Sequence, residues 1–478
     1  MRFLTVFAIV STLAYGAALR SQNPTQNPAR PLAQPPASPT PTPIALPSPT
    51  VKIDAYRASA GRIIGAALTR NKAQERLEYL TDHIGNRLSG SQQLERAIAW
   101  AVRRMQEDGL DNVRTEKVMV PNWVRGQESL EMLPTHESLA MLGLGNSVGT
   151  PAEGITADTV VVRNFDELDA LGEKVRGKIV VYNAPFTNYG ATVQYRVNGA
   201  SRAAHYGAAA VLVRSITPVS LQTPHTGAMN YDPQEERKIP AAAITIETAE
   251  RLQRAYDRGE PLTVRLKMEA KFLADAESAN VIAELKGTER PEEIVLIGAH
   301  LDSWDVGQGA HDDGGSCIAV WEAVRLLKEL GLRPRRTIRV VLFTNEENGT
   351  RGGLGYRDAH RDEVSKHIFA IESDSGIYRP EGLAVAANAP LQVRSNLTEI
   401  AKLLSGINAD RIGGDGGGAD IGPMMGEGVP GGNLDVDGTH YFDIHHTQAD
   451  TLDKINPRDL SLCVATLAVF AYTIADSF

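Results

Sequence analysis

The chain has 478 residues and a formal net charge of −9 at pH 7, with 42% hydrophobic and 22% charged residues. Its length predicts two or three domains, and its hydrophobic fraction is ordinary for a globular protein. The acidic balance and the lack of a basic stripe argue against nucleic acid as a partner.

The first fifty residues carry targeting and linker signals. An apolar run from Phe3 to Ala14 follows Met1 and Arg2 and leads into small residues, which predicts a signal peptide over residues 1–20. We therefore expect a secreted or periplasmic protein without membrane contact after signal cleavage. The alternative is an uncleaved signal that anchors the chain to a membrane. Residues 21–51 are rich in proline and predict an extended linker.

The folded part is predicted to begin at residue 52. Apolar residues recur at helical spacing over residues 55–80 and 92–108, with a polar, glycine-containing loop at 84–91 between them. A strand is predicted at residues 113–120. This stretch predicts the start of a domain that mixes helices and strands.

Residues 121–274 have a different character, in which short β patterns dominate. These patterns lie at residues 139–142, 159–162, 178–181, 211–213, 242–246 and 262–268, with helical patterns at 200–205 and 248–256. The segment predicts an inserted β-rich domain. Because it contains no group of His, Asp and Glu residues at ligand spacing, we expect no chemistry from it, and surface or capping roles for His205 and His225.

The remaining residues, 275–478, alternate between apolar strand patterns and amphipathic helices. Strands are predicted at residues 281–285, 294–298, 337–343 and 367–372, and helices at 316–330, 352–360, 390–405 and 457–475. Continuous apolar runs of this length are typical of parallel strands buried on both faces. Residues 52–120 and 275–478 therefore predict one α/β domain with a mostly parallel sheet flanked by helices.

The two cysteines, Cys317 and Cys463, both lie in apolar helical patterns. These surroundings favour buried, inert thiols. An exported chain could pair them if their Cα atoms came within about 7 Å of each other. Two cysteines alone do not supply a thiolate zinc site.

Titratable side chains follow several predicted strands at their C-terminal ends or lie in later loops. The set comprises His300, Asp302, Asp312, Glu346, Glu347, Asp374 and His446. Each alone is more often an ordinary strand end or a solvated helix start. Because ligands bind at the carboxyl edge of open α/β sheets, their recurrence indicates a shared site. Two imidazoles and three carboxylates suit two zinc ions that share one carboxylate.

The adjacent glutamates, Glu346 and Glu347, indicate the type of chemistry. Their side chains diverge on a loop or helix start, so one carboxylate can bind a metal while its neighbour stays free as a base. In the same way Asp302, two residues after His300, is placed to accept the N–H that a ligand imidazole usually donates to a carboxylate.

Five motifs follow one another in the second half of the chain: GAHLDSW, GAHDDGG, NEENG, ESDSG and HHTQADT. Together with IGNRLSGS, VRGKIVVYNAPF and GTHYFDIHHT, they resemble the di-zinc exopeptidases. This family includes bacterial leucyl aminopeptidases, glutamate carboxypeptidase and, most similar in these motifs, the carboxypeptidase Q group. The resemblance spans most of the chain after the linker, and residues 121–274 resemble the protease-associated insert of the family.

The resemblance implies a division of ligands between two zinc ions. His300 and Asp374 are expected at one ion, and Glu347 and His446 at the other. Asp312 is expected to bridge them.

The resemblance also implies catalytic roles. Glu346 is expected to be the general base on the attacking water, Asp302 to orient His300, and His445 to lie near the substrate carbonyl oxygen or to have a packing role. His311 departs from some relatives and is expected to be an accessory group.

The function implied is a zinc-dependent exopeptidase that hydrolyses dipeptides or short peptides, as a homodimer. One alternative is an aminopeptidase that acts on longer peptides. Another, from a different class, is a non-catalytic binding module of the same fold. Such a module is expected to have lost a ligand, and no expected ligand is missing from this sequence.

Overall fold

The structure is a computed structural model, and it describes residues 45–478. The predicted signal peptide and most of the predicted linker lie outside these residues. The end of the linker lies against a later helix: Ser395 donates its hydroxyl to the Pro47 carbonyl oxygen (2.6 Å), and Asn396 accepts the N–H of Thr50 (2.8 Å).

The described chain forms two eight-stranded sheets and a two-stranded one. The first elements are α1 (Arg57–Thr69), α2 (Ala73–Tyr79), α3 (Gln92–Glu107) and β1 (Asp111–Val120). The next are β2 (Trp123–Val124), β3 (Glu128–Leu133), β4 (Glu137–Leu139), β5 (Met141–Gly143), β6 (Ile155–Val162), α4 (Phe165–Leu171), β7 (Ile179–Tyr182), α5 (Tyr189–Thr192), α6 (Gln194–His205), β8 (Ala210–Arg214), β9 (Ala241–Ile244), α7 (Ile246–Asp257), β10 (Thr263–Met268) and β11 (Lys271–Phe272). The last are β12 (Ala276–Leu285), β13 (Arg290–His300), α8 (Gly315–Glu329), β14 (Arg336–Phe343), α9 (Arg351–Ala359), β15 (His367–Glu372), β16 (Pro380–Val385), α10 (Leu391–Ala401), β17 (Arg411–Gly413), α11 (Gly422–Gly426), β18 (Gly431–Val436), α12 (Tyr441–Ile444) and α13 (Pro457–Ser477).

The first sheet has the strand order β1-β12-β14-β13-β15-β18-β16-β17. Its centre, from β14 through β13 and β15 to β18, is parallel, as predicted. Strand β14 is buried along its whole length, because helices cover both faces of the sheet. Helices α8 and α13 contribute to the core on one face, and residues of α9 and α11 pack on the other.

Helices α8 and α13 are apolar and largely buried. Among the described residues, α13 is the one helix long and apolar enough to cross a membrane, and most of its apolar window is buried. Cys317 on α8 and Cys463 on α13 are free and buried, in agreement with inert thiols.

The second sheet, with the order β4-β3-β10-β6-β7-β8-β9-β5, consists of strands from residues 128–268. It is less purely β than the sequence predicts. Its four central strands, β6 to β9, are parallel. Helices α4 and α6 contribute to one core beside this sheet, and α7 contributes to another. The short runs of β7, β8 and β9 are apolar on both faces for this reason.

The single helical stretch predicted over residues 55–80 is also interrupted. Helix α1 ends at Thr69 and α2 begins at Ala73. Between them, the side chain of Asn71 accepts the N–H of Ala73 (2.9 Å) and donates to the Ala67 carbonyl oxygen. An asparagine that bonds to the main chain in this way competes with continuation of the helix.

Candidate metal centre

The predicted ligands meet at the carboxyl edge of the first sheet. His300 is the last residue of β13, Glu346 and Glu347 come after β14, and Asp374 comes after β15. Asp312 reaches the same point from the turn before α8, and His446 from the loop before α13. Residues that are up to 146 positions apart therefore share one site because their strands are parallel neighbours.

The Asp312 carboxylate lies between the two histidines. Its Oδ1 is 3.2 Å from His300 Nε2, and its Oδ2 is 3.1 Å from His446 Nε2. The other carboxylates complete two groups, with Asp374 Oδ1 3.5 Å from His300 Nε2 and Glu347 Oε2 3.0 Å from His446 Nε2. This is the arrangement that a carboxylate bridging two metal ions requires.

The donor atoms fit zinc in type and spacing. Ligands about 2.0–2.1 Å from a tetrahedral zinc ion are separated by about 3.3 Å, close to the observed contacts. Asp312 Oδ2 and Glu347 Oε1 are buried and have no hydrogen-bond partner among the residues described. Buried polar atoms are normally paired, so these two atoms are suited to binding a cation.

The adjacent histidines differ in what they reach. Their rings stack with centroids 3.5 Å apart. His446 contacts both Asp312 and Glu347, whereas the nearest carboxylate atom to His445 Nε2 is Asp312 Oδ2 at 3.6 Å. The donor atoms of Asp312, His445 and His446 nevertheless lie within 4.8 Å of one another. The closer contacts favour His446 as a ligand and leave His445 beside the centre.

The main chain at His446 is adapted to this position. Its φ of 61° is in the left-handed region, which is uncommon for residues other than glycine. Strained main-chain conformations of this kind cluster at functional sites. The turn brings the imidazole of His446 to the carboxylates, with the ring of His445 stacked on it.

His300 is oriented by the main chain of Asp302 rather than by its carboxylate. His300 Nδ1 donates to the Asp302 carbonyl oxygen at 3.0 Å, whereas Asp302 Oδ1 is 3.8 Å away. The carboxylate of Asp302 instead accepts the N–H groups of Glu346 (3.0 Å) and Glu347 (3.3 Å). Asp302 therefore connects the ends of β13 and β14 and fixes the two glutamates.

The proton affinities of these groups reflect a site built for cations. Burial, together with the charge of Asp312, raises the pKa of Glu347 to about 7. Burial likewise raises the pKa of Glu346 well above its ordinary value, with Asp374 adding to the effect. Burial opposes a charge on His446, but Glu347 and Asp312 outweigh it and raise the pKa of His446 to about 10. A bound cation reverses these preferences by replacing protons as the positive charge.

Two further residues support the centre and were not identified from the sequence. The Asp450 carboxylate accepts the N–H groups of His311 (2.7 Å) and Asp312 (3.1 Å). Arg87 is fully buried and donates to the carbonyl oxygens of Leu301 and Gly309. The signals in the sequence were the Asp of HHTQADT and the Arg of IGNRLSGS. Neither motif indicates which distant residues these side chains contact.

Neither His311 nor Asp420 makes one of the close contacts with His300 or His446 described above. His311 Nδ1 accepts the N–H of Ile377 (3.0 Å), and its ring stacks on Tyr378 with centroids 4.5 Å apart. Asp420 is buried and donates its N–H to the Glu372 carboxylate. His311 is therefore a packing residue beside Asp312.

A cleft of about 440 Å³ opens over the centre and is lined by residues from the first-sheet part of the chain and from residues 121–274. Besides Asp312, Glu346, Glu347, Asp374 and the two histidines, its lining includes Tyr189, Arg196 and Ala228 from residues 121–274, and Asp435, Tyr441 and Phe442 from the first-sheet part of the chain. The sequence predicted no chemistry from residues 121–274, but this segment supplies one wall of the cleft.

The same segment also holds the histidine loop. Thr226 donates its N–H to the His446 carbonyl oxygen (3.0 Å), and the Thr226 carbonyl oxygen is 3.4 Å from His446 Nδ1. Its neighbour His225 is 2% exposed, so the predicted surface role is wrong for this histidine. His205, in contrast, is exposed as predicted.

Comparisons with known proteins identify relatives of this chain among peptidases. A model described as Peptidase family M28 matches residues 280–471. Carboxypeptidase Q of Xenopus laevis is 46% identical over 429 residues, which are 89% of this chain and 91% of that protein. Carboxypeptidase Q of Homo sapiens is 45% identical over 408 residues, 85% of this chain and 86% of that protein.

Two solved structures share the architecture. The peptidase M28 precursor from Shewanella amazonensis superposes with a TM-score of 0.85 and 36% identity, covering 89% of this chain and 98% of that one. BSAP, a zinc aminopeptidase from Bacillus subtilis, has a TM-score of 0.64 at 21% identity, covering 85% of this chain and 95% of that one. The second similarity is one of fold.

Proposed function

The chain belongs to peptidase family M28 and is a zinc-dependent exopeptidase, and we propose that it hydrolyses dipeptides or other short peptides with a free carboxyl terminus. The observation that carries the proposal is the Asp312 carboxylate, whose two oxygens each face a different histidine at 3.1–3.2 Å. A single site of this kind offers one carboxylate to two ions.

In this proposal two zinc ions share the centre. His300 and Asp374 hold one ion, Glu347 and His446 hold the other, and Asp312 contributes to both. Zinc supplies Lewis-acid chemistry there, lowering the pKa of water and polarising the scissile carbonyl group. The support for this division is the pair of three-residue contacts described above.

Glu346 is the proposed general base. It lines the cleft, it is partly exposed there, and its carboxylate is absent from the close contacts that join the other acidic residues to the histidines. Its main chain is fixed by Asp302. Glu346 takes a proton from the attacking water and passes it to the nitrogen of the leaving amine.

His445 is proposed to act on the substrate carbonyl oxygen. It lines the cleft beside His446, its Nε2 is 3.6 Å from Asp312 Oδ2, and the ring of Tyr189 meets it edge-on with centroids 5.3 Å apart. Burial lowers the pKa of His445 well below its ordinary value, with His446 adding to the effect. A neutral imidazole in this position donates a hydrogen bond to a developing oxyanion.

Arg196 is the reason for proposing a free carboxyl terminus. This arginine is 6% exposed and lines the cleft. Its Nη1 donates to the Thr226 carbonyl oxygen (3.1 Å) and its Nη2 to the Tyr189 hydroxyl (2.7 Å), while its Nε is buried without a partner. Within the described chain, no carboxylate lies at ion-pair distance from Arg196. A buried guanidinium without a counter-charge is costly, and a carboxylate is the group it binds best.

A panel of peptides tests the proposal. Zinc-loaded protein is offered a dipeptide, the same dipeptide with an amidated C-terminus, a tripeptide and a C-terminally blocked tripeptide. We expect the free dipeptide to be cleaved with the highest kcat/KM. Preference for the blocked tripeptide would favour an aminopeptidase acting on longer peptides. No cleavage by protein that binds zinc would favour a non-catalytic binding module.

The remaining organisation is also proposed. Residues 52–120 and 275–478 form the peptidase domain, and residues 121–274 form the protease-associated insert, as the separate second sheet suggests. The protein is exported through a signal peptide at residues 1–20 and forms a homodimer. Mass analysis of the mature N-terminus and light scattering in solution test these two statements.

A further inference from the structure

One carboxylate of the cleft has no role in the proposed reaction. The acidic residues that line the cleft are Asp312, Glu346, Glu347, Asp374 and Asp435. The first four are assigned to metal binding or to proton transfer. Asp435 is the fifth, and it makes none of the close contacts with His300 or His446 that define the centre.

The register of the sheet places Asp435 beside the centre. Strands β15 and β18 are parallel, and Glu372 pairs with Asn433. Asp374 lies two residues after Glu372, and Asp435 lies two residues after Asn433. Asp374 follows the end of β15, so both residues lie at the same edge of the sheet, and both line the cleft.

The hydrogen bonds of Asp435 leave one oxygen available. Arg411 donates from Nε (3.0 Å) and from Nη2 (2.6 Å), and both bonds go to Oδ2. In the part of the chain that the structure describes, no group donates to Oδ1. The Asp435 side chain is 19% exposed, so a molecule in the cleft can reach it.

The charge of Asp435 is also incompletely balanced. Arg411 is shared with Glu381, at 2.5 Å, and is itself 57% exposed. Arg379 contacts Glu381 and Asp437 at 3.6 and 3.3 Å. Three carboxylates thus share two guanidinium groups, which leaves an excess of negative charge around Asp435.

A dipeptide carries one charged group that suits Arg196 and one that suits Asp435. It carries a carboxylate after the scissile bond and an α-ammonium group before it, and Arg196 provides the proposed partner of the carboxylate. We propose that Asp435 binds the α-ammonium group of the residue on the amino side of the scissile bond. This inference rests on the proposed function and adds a specificity-determining residue to it. Together, Arg196 and Asp435 select substrates by the distance between their two charges.

The test compares two substrates that differ by one amino group, alanyl-alanine and propionyl-alanine, with zinc-loaded protein. In Asp435→Asn we expect the ratio of their kcat/KM values to fall by about 10- to 100-fold, the range for losing a hydrogen bond to a charged group. The loss should be in KM for alanyl-alanine, with bound zinc and thermal stability retained. If wild-type cleavage of propionyl-alanine is undetectable, the variant's activity on alanyl-alanine should fall toward that level.

Arg411→Met is the matched control, because it removes the same ion pair and keeps the carboxylate. We expect its substrate ratio to stay within about threefold of wild type. An equal loss in both variants would assign Asp435 to a structural ion pair and overturn the inference, as would an unchanged ratio in Asp435→Asn. Loss of zinc or of folding in Asp435→Asn would equally assign Asp435 to the structure of the centre.

A third substrate separates two sources of the ammonium group. In acetyl-lysyl-alanine the α-amino group is blocked, and the charge is on the side chain. If Asp435→Asn reduces cleavage of this substrate but not of alanyl-alanine, Asp435 recognises a basic side chain and the proposal is wrong. If wild-type protein fails to cleave alanyl-alanine at all, the proposed function fails, a result distinct from failure of this inference.

Discussion

The two large sheets of this molecule are similar in architecture and differ in the side chains at the ends of their strands. Both have four adjacent parallel strands at the centre, with apolar runs and helices packed beside them. In the first sheet, His300, Glu346, Glu347 and Asp374 stand at the carboxyl ends of those strands. An open parallel sheet provides a common edge, and the side chains at this edge decide whether it has chemistry.

The polar side chains at the carboxyl edge of the second sheet are paired with one another. Asn183 comes directly after β7 and accepts a hydrogen bond from Arg214, at the end of β8 (2.8 Å). Arg214 also forms an ion pair with Glu250, and Thr245 caps α7 after β9. Each of these polar groups therefore has a partner within the same sheet and its helices. The segment that contains the second sheet supplies a wall of the cleft from α5, α6 and a loop, and Thr226 of that loop holds His446.

The largest expected effect comes from removing the base at the first edge. Glu346→Gln keeps the shape of the side chain but cannot accept the proton from water. We expect kcat to fall by about 10³-fold or more, with zinc content unchanged. Steady-state kinetics and metal analysis by mass spectrometry measure both quantities.

The second sheet provides the control for this prediction. Glu250→Gln changes a carboxylate near the corresponding edge, where Arg214 is its partner. We expect kcat to stay within about twofold of wild type, since Glu250 does not line the cleft and pairs with Arg214 rather than with a residue of the centre. Comparable losses in both variants would remove the distinction between the two edges, and full activity in Glu346→Gln would contradict its role as base.

Substitution of the two adjacent histidines tests which of them binds zinc. We expect His446→Ala to lose about one zinc ion per chain and at least about 10²-fold in activity, because even partners of zinc ligands are worth 10- to 100-fold. His445→Ala should retain both ions and lose activity mainly in kcat. Zinc titration by calorimetry measures the difference. Normal zinc binding by His446→Ala together with a loss in His445→Ala would reverse the assignment.

The contribution of the second sheet to specificity is expected to be smaller. Arg196→Met keeps an aliphatic chain in the wall and removes the guanidinium. We expect kcat/KM for a free dipeptide to fall by about 10- to 100-fold through KM, with a smaller change for the C-terminal amide. Equal losses for both substrates would indicate that Arg196 only holds the wall in place.

The sequence predicted the first sheet and its edge more fully than the second. Apolar runs identified strands such as β15 at residues 367–372, and the polar residues after each strand gave the candidate ligands that the structure brings together. Both signals are local, because burial on two faces and an abrupt polar residue can be read within one stretch of chain. The prediction of a site at this edge then needed only the general rule that ligands bind at the carboxyl ends of parallel strands.

The features that the sequence missed depend on contacts between distant residues. Arg196 and Asp435 line the same cleft although 239 positions separate them, and nothing in either local pattern indicates this. His225 lies in a loop with no regular period and is nevertheless buried beside the histidine loop. Helix α4 was missed because it is seven residues long, with Leu168 its one buried residue.

The smallest expected effect tests how the second sheet supports the first. Thr217 is fully buried in the loop after β8, and its hydroxyl lies 2.6 Å from the Phe442 carbonyl oxygen, four residues before His446. The same hydroxyl lies 2.7 Å from the Val219 carbonyl oxygen and accepts the Val219 N–H (3.2 Å). Thr217→Val keeps the volume and removes all of these hydrogen bonds, so we expect the free energy of unfolding to fall by about 1–2 kcal/mol. Urea titration measures it, and kcat should change by less than about threefold.

Thr223→Val is the matched control, since Thr223 lies in the same loop and its hydroxyl makes no hydrogen bond to the residues described. If both variants lose the same free energy, the Thr217 hydroxyl does not hold the histidine loop, and the second sheet supports the centre through the main chain of Thr226 instead.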